Sequence, residues 1–224
     1  FFVTSLGKPD WVCERVHAQG GYVYHDVTNR KHALKGLECG ADGLICVNNR
    51  AGGHLGDLSA AELYAELSDL DVPLICAGGI GSELELAEVM EIGYDGVQMG
   101  TRFIATTECS TPEDYKEAIV EAGEEDIVWT NRISGVPISV IKSDNWKQEN
   151  SWLVRKLLRS RFKHSARMLL NLKSVTKLRR LSKAGSASTS SKKQYLSAGK
   201  SVETIHSIES ATTIMRNLGE SLED

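Results

Sequence analysis

The feature that most constrains this chain is a repeating unit of about 30 residues. Each unit is a short apolar run, a turn containing glycine, and a stretch with helical periodicity. The apolar runs lie at 1–5, 22–27, Gly43–Val47, 72–76 and 96–99, and helical patterns fill 10–19, 29–38, 59–68 and 82–92. Ser59 with Glu62, and Ser82 with Glu85, have the spacing of a helix-opening capping box. The apolar runs carry few polar residues, so both faces of each strand are expected to be buried. That is the mark of a parallel sheet covered by helices, an α/β fold. Five strands suit either an open doubly wound sheet or part of a TIM (β/α)8 barrel. The chain opens within Phe1-Phe2-Val3 with no preceding cap. On the barrel reading it is an N-terminally truncated fragment that starts inside a strand and covers about strands 4–8.

After Phe103 the rhythm breaks. Thr111-Pro112-Glu113 reads as a helix start, with Thr as N-cap and Pro in the first helical position, and the helix runs to about Ala122. Residues 136–141 read as a short extended segment and 146–183 as two basic amphipathic helices. The Ser-rich stretch 185–193 reads as a flexible loop, and 202–218 as one more helix packing back on the barrel. The expected organisation is a barrel portion at 1–130, a smaller, mostly helical region at 131–201, and a final helix within 202–224.

Composition narrows the function classes. The chain is 41% hydrophobic and 25% charged, enough for a sizeable core, and its net charge of -4 argues against a dedicated nucleic-acid binder. The basic stretch 155–183 has leucines at near-helical spacing, so a solvated basic face accounts for it better than an RNA or membrane surface does. No apolar run reaches the roughly 18–20 residues of a membrane helix. Cys13, Cys39, Cys46, Cys76 and Cys109 are odd in number, and none forms a C-x-x-C pair. The expectation is a reducing, cytoplasmic compartment.

The chemistry gathers where three successive strands end. The turns are Ala51-Gly52-Gly53-His54-Leu55-Gly56, Ala77-Gly78-Gly79-Ile80 and Gln98-Met99-Gly100-Thr101. Ligands of parallel α/β folds bind at these strand ends, and glycine lets backbone N–H groups approach an anion without a Cβ in the way. One Gly-Gly pair is an ordinary tight turn; three in order at one-unit spacing point to a shared site. His54, among three glycines, is placed to titrate near neutrality and abstract a proton, or is simply a hydrogen-bonded loop histidine. His25-Asp26 lies near its strand end and is a weaker candidate to line the pocket. Asn48-Asn49-Arg50 faces the same mouth as ligand contacts or as loop chemistry. Arg102 either offsets phosphate charge or pairs with a nearby acid. Asp42 and Asp95 open strands on the opposite face and read as turn residues.

These three motifs, the last continuing as Tyr94-Asp95-Gly96-Val97-Gln98-Met99-Gly100-Thr101-Arg102-Phe103, resemble the ordered motifs of nitronate monooxygenases, also called 2-nitropropane dioxygenases. Related flavin-dependent enoyl-acyl-carrier-protein reductases and NAD(P)H:quinone reductases share the pattern. Ala198-Gly199-Lys200-Ser201-Val202 is similar to another family segment. The resemblance implies an FMN-dependent TIM barrel. In it Gly78, Gly79, Gly100 and Thr101 hold the FMN phosphate, Gln98 and Met99 lie next to it, and Gly53 lines the flavin pocket. His54 matches the histidine assigned as catalytic base. The implied activity is oxidation of alkyl nitronates or nitroalkanes with O2, in a chain that allows a homodimer. The alternatives are an NAD(P)H-dependent reductase of quinone or enoyl-thioester substrates and, in another class, a non-catalytic phosphate-ligand-binding barrel.

Overall fold

The computed structural model describes residues 1–130, 137–142 and 196–222. Strands β1 (Phe2–Thr4), β2 (Val23–Val27), β3 (Gly43–Val47), β5 (Leu74–Ala77) and β6 (Gly96–Gln98) pair in parallel, in the order β1-β2-β3-β5-β6. Spatial order therefore follows chain order. A doubly wound sheet must reverse its strand order partway, whereas a barrel wall never does. The sheet is accordingly a run of consecutive barrel staves. Helices α1 (Asp10–His17), α2 (Arg30–Glu38), α3 (Ala60–Leu67) and α4 (Glu83–Ile92) connect the strands and pack on one face of the sheet.

The outer layer of core lies between the sheet and these helices. Val27, Leu44, Cys46, Leu74 and Cys76 of the strands meet Leu63, Leu67, Leu86 and Val89 of α3 and α4. Full burial of each large aliphatic chain contributes about 1.5–3 kcal/mol. Cys46 and Cys76 are cross-strand partners in this layer, and burial pushes their thiols up to about 12 and about 11. Both therefore serve as small apolar side chains. The inner face holds a separate cluster of Ile45, Val47, Ala51 and Ala77 with Tyr24 and Ile75 against it. Asp42 accepts a hydrogen bond from the Val23 N–H at 2.7 Å and Asp95 one from the Leu74 N–H at 2.8 Å. Each is a turn residue that closes the start of a neighbouring strand, as its position implied.

A second, antiparallel sheet has the order β4-β8-β7, from β4 (Gly53–His54), β7 (Ile127–Thr130) and β8 (Ile138–Ile141). Only β8 was legible as an extended segment. The register pairs Gly53 with Ser139 and His54 with Ile138, so β8 clamps the histidine turn.

Three expectations need correction. The helix predicted to start on Pro112 is α6 (Glu113–Glu121), preceded by the short helical turn α5 (Thr101–Ile104). Pro112 itself holds the cap position with ψ 144°, and Thr111 turns its hydroxyl to Cys109 Sγ at 3.0 Å instead of capping. The single helix expected at 202–218 is a 3-10 turn (Lys200–Thr204) followed by α7 (Ala211–Glu220). The break arises because buried Arg102 binds the Ser207 carbonyl and Glu209, both at 3.1 Å, which holds that stretch extended. Ser82 does accept from the Glu85 N–H, but the Glu85 carboxylate takes the Gly81 N–H and the Thr204 hydroxyl, both at 2.7 Å. Only the Ser59 and Glu62 pair forms a complete capping box. α7 sends Ile214 and Leu218 into the outer core beside α4. The basic amphipathic stretch and the Ser-rich loop lie outside the described residues. No described helix is long and apolar enough to cross a membrane.

Candidate active site

The C-terminal ends of the strands enclose a cavity of about 590 Å³, lined by all three glycine turns. The size is that of a small-molecule or cofactor pocket, which typically spans roughly 300–1,000 Å³. The predicted positions Gly53, His54, Gly78, Gly79, Gln98, Met99, Gly100 and Thr101 all line this one space. The alternation of strand and helix brings them together, because every βα turn of a parallel barrel opens at the same end.

The glycines are there for different reasons. Gly78 has φ +115°, and a Cβ on it would lie 2.4 Å from Asn48 Oδ1 and 2.6 Å from the Ala51 N, so the fold itself demands glycine. Gly100 is the opposite case. Its φ is -115°, open to any residue, and a Cβ there would meet nothing within 4 Å. Neither backbone nor packing requires glycine at 100, and the residue borders the cavity. Among the described residues, the backbone N–H groups of Gly79 and Gly100 find no acceptor in the chain. Both residues border the cavity, so two unpaired donors lie at its edge.

Asn48 and Arg50 belong to the scaffold. Asn48 is buried, donates to the Gly78 carbonyl at 2.8 Å and accepts the Arg50 N–H at 2.8 Å, tying the first turn to the second. Arg50 and Lys200 both reach Glu124 at 2.7 Å, which holds that carboxyl below its usual range, Lys200 contributing most. Neither Asn48 nor Arg50 lines the cavity. Arg102 pairs with Glu209, the simpler of its two readings. The segment 198–202 closes the site from below. The Gly199 N–H donates to Thr101 Oγ1 at 3.0 Å and the Lys200 N–H to the Arg50 carbonyl at 2.9 Å. Gly52 and Gly199 pack backbone on backbone, where a Cβ on either would lie within 2.8 Å of the other's N. Ser197 and Ser201 thereby join the lining.

His54 Nε2 and Asp26 Oδ1 are the two buried side-chain polar atoms among the described residues that have no hydrogen-bond partner. Both residues line the cavity. Burial raises the Asp26 carboxyl above its ordinary value, against the opposing pull of Ser5, His25 and His54. His25 is lowered by burial, and its Nδ1 lies 2.9 Å from the Thr4 hydroxyl. Sequence reasoning underweighted Asp26 and missed Ser5, Ser197 and Ser201. Asp26 had a signal, a carboxylate at a strand end. Ser5 stands at a strand end and Ser201 within the segment 198–202; Ser197 had no signal, since it joins the site only through long-range packing.

The nitronate monooxygenase family model matches residues 1–221. The chain belongs to that family. It is 33% identical over 153 residues to a probable nitronate monooxygenase of Staphylococcus saprophyticus, covering 62% of this chain and 43% of that one. It is 32% identical over 141 residues to a (3aS,4S,5R,7aS)-5-hydroxy-7a-methyl-1-oxo-octahydro-1H-indene-4-carboxyl-CoA dehydrogenase of Rhodococcus jostii, covering 62% of this chain and 40% of that one. These matches span less than half the length of the relatives. Among solved structures, FabK from Thermotoga maritima superposes with a TM-score of 0.74 at 25% identity, over 99% of this chain and 68% of that one. A nitroalkane oxidase from Streptomyces ansochromogenes shares the fold, with a TM-score of 0.72 at 24% identity. The family match and the superposition on FabK agree with the α/β barrel architecture described above.

Proposed function

We propose that this member of the nitronate monooxygenase family binds FMN in the strand-end cavity and oxidises alkyl nitronates or nitroalkanes with O2, with His54 as the base. The observation that carries the cofactor reading is the Gly100 turn, where glycine is explained by neither conformation nor packing. The unpaired N–H groups of Gly79 and Gly100 suit a phosphate, with Gly78 and Thr101 shaping the walls. Gly53, Gln98 and Met99 border the remaining space. FMN, when bound, supplies the electron transfer that the protein's own side chains cannot.

The chain's own residues handle the proton. His54 sits on a turn clamped by β8 and borders the cavity, and its buried Nε2 has no hydrogen-bond partner among the described residues. As the base, the His54 imidazole turns this nitrogen into the cavity and takes a proton from the carbon next to a nitro group. A preformed nitronate needs no such step. His54→Ala is therefore expected to keep the flavin, to slow nitroethane oxidation by roughly 100-fold or more, and to affect propionate-3-nitronate much less. Steady-state rates on both substrates, normalised to bound flavin, read this. Equal losses on the two substrates would remove His54 from the role of base.

The similarity to a carboxyl-CoA dehydrogenase supports a second reading, a flavin-dependent enzyme acting on a thioester or quinone with NAD(P)H. Anaerobic reductant titration of the whole protein separates the two. Bleaching of the flavin by propionate-3-nitronate supports the first reading. Bleaching by NAD(P)H alone selects the second. A colourless purified protein points to a non-catalytic barrel.

A further inference from the structure

Two cationic side chains meet behind the glycine turns. The Lys200 N–H donates to the Arg50 carbonyl at 2.9 Å, so two residues far apart in sequence leave the backbone side by side. Like charges set so close repel unless a counter-charge stands between them. Glu124 is that counter-charge: one carboxylate oxygen accepts from Arg50 Nη1 and the other from Lys200 Nζ, both at 2.7 Å. The other acid near Arg50, Glu85, lies 3.9 Å away and already accepts from the Gly81 N–H and the Thr204 hydroxyl. What Arg50 and Lys200 carry is cavity wall. Ala51, Gly52, Gly53 and His54 follow Arg50 in the chain, Ser201 follows Lys200, and all five line the cavity. The Arg50 stem also fills the space beside Gly79, where a Cβ would lie 2.6 Å from its Nε and 2.9 Å from its Cβ. Glu124 is itself well anchored. It opens a 3-10 turn (Glu124–Asp126) that runs directly into β7, and the Lys142 N–H, just past β8, donates to the Asp126 carbonyl at 2.8 Å. The Glu124 N–H donates to the Glu203 carboxylate at 2.8 Å. The second sheet thus holds one carboxylate against the backs of two cavity walls.

We propose that Glu124 is a positioning residue for the cofactor cavity, which by pairing Arg50 with Lys200 holds the Gly79 turn and the Gly52-Gly53-His54 turn in the places that the phosphate and the base require. The inference rests on the reading of the cavity as a flavin site. Glu124 does not line the cavity and acts only through its two partners. Their pull, that of Lys200 foremost, keeps its carboxyl ionised below the usual glutamate range, so the clamp is closed at neutral pH. The paired side chains are 34–36% exposed. Ion pairs so open to water add little to global stability. The effect of this one is therefore local. Without the carboxylate the two cations push apart, and the walls they carry open more often than the rest of the sheet. A small displacement of a binding wall costs affinity and rate out of proportion to the stability lost.

The test follows FMN release from the loaded whole protein, read as the return of free-flavin fluorescence on dilution, in Glu124→Gln and in Glu124→Gln combined with Lys200→Gln. The single variant is expected to release FMN about tenfold faster than the wild type, with a thermal melt within a few degrees of it. Long-range charge alone predicts the opposite, because losing a carboxylate should make the site hold an anion longer. The double variant has the net charge of the wild type and only one cation behind the wall, so it is expected to return to within about threefold of the wild-type rate. A single variant that holds FMN as long as the wild type, or longer, would overturn the proposal, since Glu124 would then merely screen the two cations. A double variant as fast as the single would also reject it, because an ordinary loss of packing is not repaired by a second deletion. Backbone hydrogen exchange reads the clamp without any flavin. Glu124→Gln is expected to speed exchange in residues 51–56 and 198–202 while β2, β3 and β5 keep wild-type rates. Unchanged exchange in both segments, or faster exchange throughout the sheet, rules out a local positioning role. A wild type that takes up no FMN would sink the cofactor reading separately, and the exchange rates would still report whether Glu124 holds the wall.

Discussion

Gly100→Leu is expected to give a folded protein that no longer retains flavin. The backbone at 100 accepts any residue and its Cβ position is open, so the substitution should leave the melting temperature within a few degrees of wild type. The leucine side chain would occupy open space at the border of the cavity, where the proposed phosphate sits. Affinity is expected to fall by more than about 100-fold, equivalent to roughly 2.7 kcal/mol. The absorbance near the flavin bands of the purified protein, with a thermal melt on the same sample, reads both halves. Gly100→Ala, which adds one methyl group, should give an intermediate loss. A leucine variant that stays yellow with unchanged flavin affinity would place the phosphate elsewhere.

Gly78→Ala should fail in the other way, by destabilising the protein before it affects the ligand. A Cβ at φ +115° is strained, and this one would press on Asn48 Oδ1 and on the Ala51 backbone, neither of which can retreat. Asn48 is buried and already committed to the Gly78 carbonyl and the Arg50 N–H. Backbone strain and overpacking together are expected to cost roughly 3–5 kcal/mol. Chemical denaturation with an unchanged m-value measures this directly. A loss below about 1 kcal/mol would mean that the two turns are not locked together by Asn48. The contrast between the two glycines separates a residue kept for the fold from one kept for the ligand, although both look alike in the sequence.

The cavity reading also explains why the site was partly legible. Gly53, His54, Gly78, Gly79, Gln98, Met99, Gly100 and Thr101 stand at strand ends, and a parallel barrel sends all its strand ends to one rim. Local pattern alone therefore places them together. Asn48, Arg50 and Arg102 share the same rim in sequence, yet they turn to Gly78, Glu124 and Glu209. Which polar side chain faces the ligand and which faces the scaffold is a question of rotamer and partner, and the partners of Arg50 and Arg102 lie more than 70 residues away.

The five parallel strands, helices α1 to α4 and the clustering of the glycine turns were determined by the sequence itself. Their cause is local: hydrophobic periodicity, caps and glycine act over a few residues. Tertiary structure alone decided three things. It selected a barrel wall over a doubly wound sheet, because strand order is a property of long-range pairing. It broke the last expected helix at the Arg102 contacts and clamped the His54 turn with β8. It also left Asp26 Oδ1 and His54 Nε2 buried without hydrogen-bond partners among the described residues, since only three-dimensional packing determines which polar atoms find partners.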